Sequence, residues 1–185
     1  MQPIALTADT LLIMTAKMAR SFNGWCSKMP ELGIRPGSVD DVDIIVKIEK
    51  MSFSPPWEKD IFYAIAKRGG RFRVEEDVVI FMNVMTLDNS LIGYVVWEED
   101  YSEENGHILN IAITELERHN GYGTRLIQAT FDTMVKSGME SCELEVRENN
   151  ISARRLYEKV GMMAVDKIVE YYGDEDAIIY DIIFE

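Results

Sequence analysis

The chain has 185 residues, 47% of them apolar, and a formal net charge of −13 at pH 7. This suits one domain with a short appendage, and the acidity excludes general nucleic-acid binding, which needs basic surface to displace counterions from phosphates. No stretch approaches the roughly 18 to 20 apolar residues of a membrane span. No secretory signal is legible at the start, and Cys26 and Cys142 lie outside any CxxC or Cys/His cluster, so a cytoplasmic chain with free thiols, no membrane association and no metal is expected.

In chain order, Leu11, Met14, Met18, Phe22, Trp25 and Met29 recur at helical spacing, which predicts an amphipathic helix within an N-terminal extension over residues 1–33. That helix has two readings: a self-association or partner-docking element, or a helix packed on its own domain. The domain proper is expected over 34–185. It begins with a short strand, Ile34 to Ser38, and Ser38 caps a helix with Val42, Ile45, Ile48 and Met51 on its apolar face. Ser54-Pro55-Pro56 breaks that helix, and a second runs from Trp57 to Lys67 before Gly69-Gly70.

Val78 to Thr86 and Leu91 to Trp97 flank a turn at Asp88-Asn89-Ser90 and read as a hairpin, followed by a third strand from His107 to Ile113. A long helix spans Gly121 to Lys136, with Gly123, Leu126, Ile127, Thr130 and Met134 facing inward. Glu140 to Val146 alternates as a strand, Ser152 to Lys159 is a short helix, and Met162 to Tyr171 and Ala177 to Phe184 are the last strands. Hairpins mixed with strand–helix–strand units give an α+β class with one mixed, mostly antiparallel sheet flanked by helices.

The strongest local signal is Arg118-His119-Asn120-Gly121-Tyr122-Gly123-Thr124, between a strand and a helix. Two glycines let backbone N–H groups approach an anion, and the helix N-terminus adds about half a positive charge. Arg118 offers a side-chain donor to phosphates. The lysine of a nucleoside-triphosphate P-loop is missing, and Leu126 stands where a dinucleotide fingerprint needs its third glycine. A pure packing role for the glycine pair stays equally open.

A second signal is Leu144-Glu145-Val146-Arg147, then Asn150, Ala153, Leu156-Tyr157 and Gly161. Together with Gly106-His107-Ile108, Ile111-Ala112-Ile113, the turn from Arg118 to Gly123, Tyr171-Tyr172 and Glu175-Asp176-Ala177, it resembles the GNAT superfamily of acyl-CoA N-acyltransferases. Within that superfamily it is most similar to the RimI-like Nα-acetyltransferases of bacteria and archaea. Ser52-Phe53-Ser54-Pro55-Pro56-Trp57 resembles the family's loop between its first two helices. The resemblance covers Ile34 to Phe184. Glu115 and Glu117 depart from it, standing where the family usually has Pro and Tyr before the phosphate turn.

The resemblance implies a GNAT fold and transfer of an acetyl group from acetyl-CoA to a protein N-terminal α-amine within a ternary complex. It implies Glu145 as the base, His107 as a second proton-relay site and Tyr157 as the acid that serves the departing thiolate. Acetyl-CoA would meet Ile111, Ala112, Ile113, the turn from Arg118 through Thr124 (His119, Asn120, Gly121, Tyr122 and Gly123 included), Asn150 and Tyr157. Phe53, Pro56 and Trp57 would face Tyr171 and Tyr172 across the acceptor slot. The residues also admit plainer readings: Glu145 as a solvent-facing strand residue, Tyr157 as a core aromatic, Asn150 as a helix cap, and His107 as a strand residue with a satisfied ring. A partly desolvated Glu145 is expected to titrate closer to neutral pH. Two other functions remain in view: acetylation of lysine side chains or a small amine, and a non-catalytic acyl-CoA-binding module.

Overall fold

The computed structural model describes residues 30–173 and 175–184. The expected N-terminal helix lies outside them, and so does Cys26. Eight strands form one sheet in the order β1-β3-β4-β5-β6-β8-β7, with β2 paired to β3. The strands are β1 (Leu32–Pro36), β2 (Arg71–Arg73), β3 (Val78–Leu87), β4 (Ser90–Asp100), β5 (Asn105–Ile113), β6 (Ser141–Arg147), β7 (Met163–Ile168) and β8 (Ala177–Ile183). The helices are α1 (Val42–Ser52), α2 (Lys59–Ala66), α3 (Tyr122–Lys136) and α4 (Ile151–Lys159). All strand pairs are antiparallel except β5 with β6. The α+β class with one mixed sheet is what the strand and helix periodicities require.

Helices cover both faces of the sheet. On one face Val42, Ile45 and Ile48 of α1 and Phe62 and Ile65 of α2 pack against Met82, Val84, Tyr94 and Val96. On the other, Leu126, Ile127, Phe131 and Met134 of α3 pack against Trp97, Ile108, Cys142 and Leu144. Removing these apolar side chains from water is the main source of stability, at about 25 cal/mol per Å².

Several local expectations are corrected. Ser38 opens a 3-10 turn, Val39–Asp41, rather than α1 itself. Its N–H and hydroxyl donate to Asp41 Oδ2 at 2.8 and 2.7 Å, and the Arg35 guanidinium pairs with the same carboxylate. Arg35 foremost, with Ser38, holds Asp41 at about 2. Met51 is 67% exposed, because repeated three-residue steps drift off the face of a 3.6-residue helix, and the buried stripe turns instead to Glu49. Helix α2 starts at Lys59, two residues after Trp57, with Glu58 in extended geometry at its N-cap. The hairpin turn needs just Asp88 and Asn89, both at positive φ, which matches the twist of the strands it joins. Strand β7 stops at Ile168, so Tyr171 and Tyr172 lie in the following turn, and β8 inserts between β6 and β7.

Candidate active site

The central strands open into a gap. β5 and β6 pair across Asn105–Ser141, Gly106–Cys142 and His107–Glu143 and no further, while β5 stays joined to β4 as far as Ile113. Beyond His107, therefore, Ile111, Ala112 and Ile113 carry no partner strand on their β6 side. Apart from Ile113 O, which Arg118 occupies, backbone groups on that edge have no partner strand and can face a ligand lying in the plane of the sheet.

The turn expected to hold phosphate lies beyond the end of β5. Gly121 sits at φ 81° as the N-cap of α3, and His119 also has positive φ, at 64°. Among the described residues, the backbone N–H groups of His119 through Thr124 meet no acceptor in the loop or the first turn of α3. A row of free N–H groups at the N-terminus of a 15-residue helix is a physical anion site.

The two glycines differ in what they do. A Cβ on Gly123 would come within 3.1 Å of Leu156 Cδ2, so Gly123 lets α3 and α4 approach, which is the packing role left open for it. A Cβ on Gly121 would meet no protein atom within 4 Å. Its glycine is required by the left-handed backbone and leaves space above the N–H groups. Gly121→Val is therefore expected to cost about 1–3 kcal/mol of backbone strain and leave the chain folded. It is also expected to raise the dissociation constant for acetyl-CoA by about 100-fold, because a branched side chain fills the approach to the N–H row. Titration calorimetry giving the wild-type affinity would contradict this.

Arg118 does something other than what the motif suggests. Its Nε donates to Ile113 O and one Nη to Ser52 Oγ, both at 3.0 Å, so the guanidinium ties the turn to the end of β5 and to α1. Asn120 leans on Glu117, with Nδ2 at 3.4 Å from Oε2, which occupies one of the two carboxylates unfavourable to an anion. Asn150 is the N-cap of α4, its Oδ1 accepting from Ala153 N at 3.1 Å. The cap uses the amide oxygen and leaves the exposed NH2 to offer a ligand.

His107 and Glu145 meet. His107 Nε2 lies 2.8 Å from Glu145 Oε2, both side chains about one-fifth exposed. Alternation along β6 puts Cys142, Leu144 and Val146 in the α3 core and Glu143, Glu145 and Arg147 on the opposite face. The expectation for the Glu145 pKa is reversed. The hydrogen bond to His107 outweighs burial and holds the carboxyl below its usual range. On His107, burial pulls the pKa down, yet the bond to Glu145 and the charges of Glu145, Glu143 and Glu98 leave it raised.

Tyr157 comes from the other face. Its ring is buried in the α3 core, 5.8 Å from that of Tyr180, and its hydroxyl makes no hydrogen bond among the described residues. Burial raises its pKa, with the nearby Tyr172 hydroxyl and Cys142 adding to the effect, so the phenol stays protonated. Tyr172 in turn donates to Glu145 O at 3.4 Å, and its ring meets that of Tyr171 edge-on at 4.9 Å. Tyr157 and Glu145 thus lie on opposite faces of β6 and do not touch.

The loop after α1, expected to face the acceptor, is partly core. Phe53 and Trp57 are half-buried against the α1–α2 core, with Trp57 5.9 Å from Phe62, while Pro56 is exposed. The loop is pinned from below by Glu49, a fully buried carboxylate that sequence reasoning missed. Glu49 accepts from Trp57 N at 2.7 Å, from Tyr94 Oη and from Asn110 Nδ2. Its signal was present: Glu49 stands four residues after Ile45, on the buried stripe. Among the described residues no helix is long and apolar enough to cross a membrane.

Comparison with known proteins gives the chain a family. The acetyltransferase (GNAT) family model matches residues 42–162. The chain is 30% identical over 156 residues to an N-alpha-acetyltransferase of Saccharolobus solfataricus, covering 78% of this chain and 88% of that one. It is 31% identical over 149 residues to a putative [ribosomal protein bS18]-alanine N-acetyltransferase of Bacillus subtilis, covering 79% and 91%. The crystal structure of Ard1 from Thermoplasma volcanium superposes with a TM-score of 0.71 at 25% identity, over 83% of this chain and 98% of that one.

Proposed function

This chain belongs to the acetyltransferase (GNAT) family, and from that premise we propose that it moves the acetyl group of acetyl-CoA directly to the α-amine of a protein N-terminus within a ternary complex. The observation that carries this reading is the gap between β5 and β6. The free N–H row lies beyond its open end, the His107–Glu145 pair stands on one face of the strands that bound it, and Tyr157 is buried on the other. The residues suit the cosubstrate: the N–H row fits a diphosphate, and the open edge of β5 fits an extended amide-bearing arm and the carbonyl of a thioester.

The acceptor amine must lose a proton before it attacks. An α-amine has a pKa of about 7.7 to 8.0, so only modest help is needed at neutral pH, whereas a lysine amine at about 10.4 needs far more. His107 Nε2–H donates to Glu145, which leaves the lone pair of the neutral ring on Nδ1 to take that proton, directly or through a water. Glu145 orients the ring and stabilises its charged form. Tyr157, neutral and without a protein partner, donates to the sulfur as the thioester opens. A ternary complex suits two substrates that approach one gap from different sides.

An α-amine acceptor is further supported by the names of the archaeal relative and of the Bacillus subtilis relative, the latter naming an alanine of ribosomal protein bS18. The aromatic walls at Trp57 and Tyr171–Tyr172 suit a peptide backbone. The chain is expected to acetylate free N-terminal peptides at least about 100-fold faster than N-terminally blocked peptides that contain lysine, in line with the pKa difference between the two amines. Mass spectrometry on a mixed peptide library checks this, and equal labelling of blocked lysine peptides would shift the assignment to side-chain acetylation.

A further inference from the structure

Arg147 lies outside the roles so far described, two residues beyond Glu145 on the same face of β6. Its guanidinium touches both walls of the acceptor slot. One nitrogen donates to Ser54 O at 3.2 Å, in the loop that carries Phe53, Pro56 and Trp57. The other donates to Glu175 Oε2 at 3.1 Å, in the turn that carries Tyr171 and Tyr172. Its Cζ sits 4.2 Å from the centroid of the Tyr172 ring. Glu175 is itself fixed by Asn149 N at 3.0 Å.

We propose that Arg147 is a clasp across the acceptor slot, a positioning residue that sets the slot's width by joining Ser54 on one wall to Tyr172 and Glu175 on the other. The inference rests on the reading of these two loops as the acceptor's walls. The planar fork of a guanidinium can hold a carboxylate, a carbonyl and a ring face at once, and an ammonium cannot. The α1–α2 loop is anchored from below by Glu49, and its described polar link to the opposite wall runs through Arg147. The clasp therefore acts on how the acceptor is gripped. The turn from His119 to Thr124 holds the cosubstrate with backbone groups that Arg147 does not touch.

Steady-state kinetics on the best peptide of the library test this. Arg147→Ala is expected to raise the peptide KM about tenfold, with the acetyl-CoA KM within about twofold and kcat within about threefold, the pattern of lost ground-state grip. Arg147→Lys is expected to restore less than half of that loss, because it cannot span both walls. Glu175→Gln leaves Ser54 and Tyr172 in place and is expected to raise the peptide KM about threefold; it carries the test if Arg147→Ala fails to fold. An unchanged peptide KM, or an equal rise in both KM values, overturns the clasp. Wild-type protein that labels only side-chain amines overturns the reading of the acceptor instead, and the same KM ratios on that acceptor then decide the clasp.

Discussion

Tyr157→Phe is expected to lower kcat by about 100-fold or more while leaving acetyl-CoA affinity within about threefold. The ring stays, so the contact with Tyr180 and the packing of α4 stay with it. The hydroxyl has no hydrogen bond to lose among the described residues, so its removal leaves no orphaned partner and folding is little affected. What is lost is a proton donor that burial keeps neutral at every working pH. That proton matters only as the carbon–sulfur bond opens, so the deficit belongs in turnover rather than binding. Parallel kcat measurements, calorimetry and thermal unfolding separate the two. Wild-type turnover in the variant would remove Tyr157 from the chemistry.

Glu145→Gln is expected to cut kcat by about 100-fold near neutral pH and to move the ascending limb of the kcat–pH profile to lower pH. The sign follows from the pair. In the wild type, burial lowers the His107 pKa, but the Glu145 bond and the carboxylates of Glu145, Glu143 and Glu98 lift it above its ordinary 6.5. In the proposed mechanism the free base therefore appears only as pH rises through that raised value. Glutamine removes the charge and weakens the bond while burial remains, so the ring gives up its proton earlier and the limb moves toward acid.

Stability runs the other way. The raised His107 pKa stabilises the fold fully below 6.5, and that contribution is lost as pH rises through the folded value. The depressed Glu145 pKa stabilises it above 4.5, and that is lost as pH falls through the folded value. The ion pair thus supports the fold most between pH 4.5 and 6.5, below the range where its base form is free to act. A profile that loses height without moving would make Glu145 the proton acceptor itself, and a profile unchanged in both would discharge the pair.

Much of this site is legible in the amino-acid order, because its parts are local. Strand alternation puts Glu145 opposite Leu144 and Val146, and helical spacing puts Leu126, Ile127 and Met134 inward. A glycine before Tyr122 announces a left-handed entry to α3 with its N–H groups exposed. Even the misplaced details follow from local rules applied too far. Met51 continues the three-residue spacing of Ile45 and Ile48 but has drifted off the buried face, and Tyr171 continues the β-pattern past the end of β7.

Apart from β2 and the last turn of α1, sequence by itself therefore determined the elements, their inward faces and the residue types available for chemistry, since each depends on neighbours within one turn or one pleat. Only the tertiary structure decided that β8 runs between β6 and β7, that β5 and β6 part after three pairs, and that Tyr157 and Glu145 lie on opposite faces of β6. It also decided that Arg118 staples the turn to α1, that Glu49 pins the α1–α2 loop, and that Arg147 joins Ser54 to Glu175. Each of these joins groups that are distant in sequence. Such contacts are set by strand register and by the need to give every buried charge a partner, and neither leaves a periodic mark along the chain.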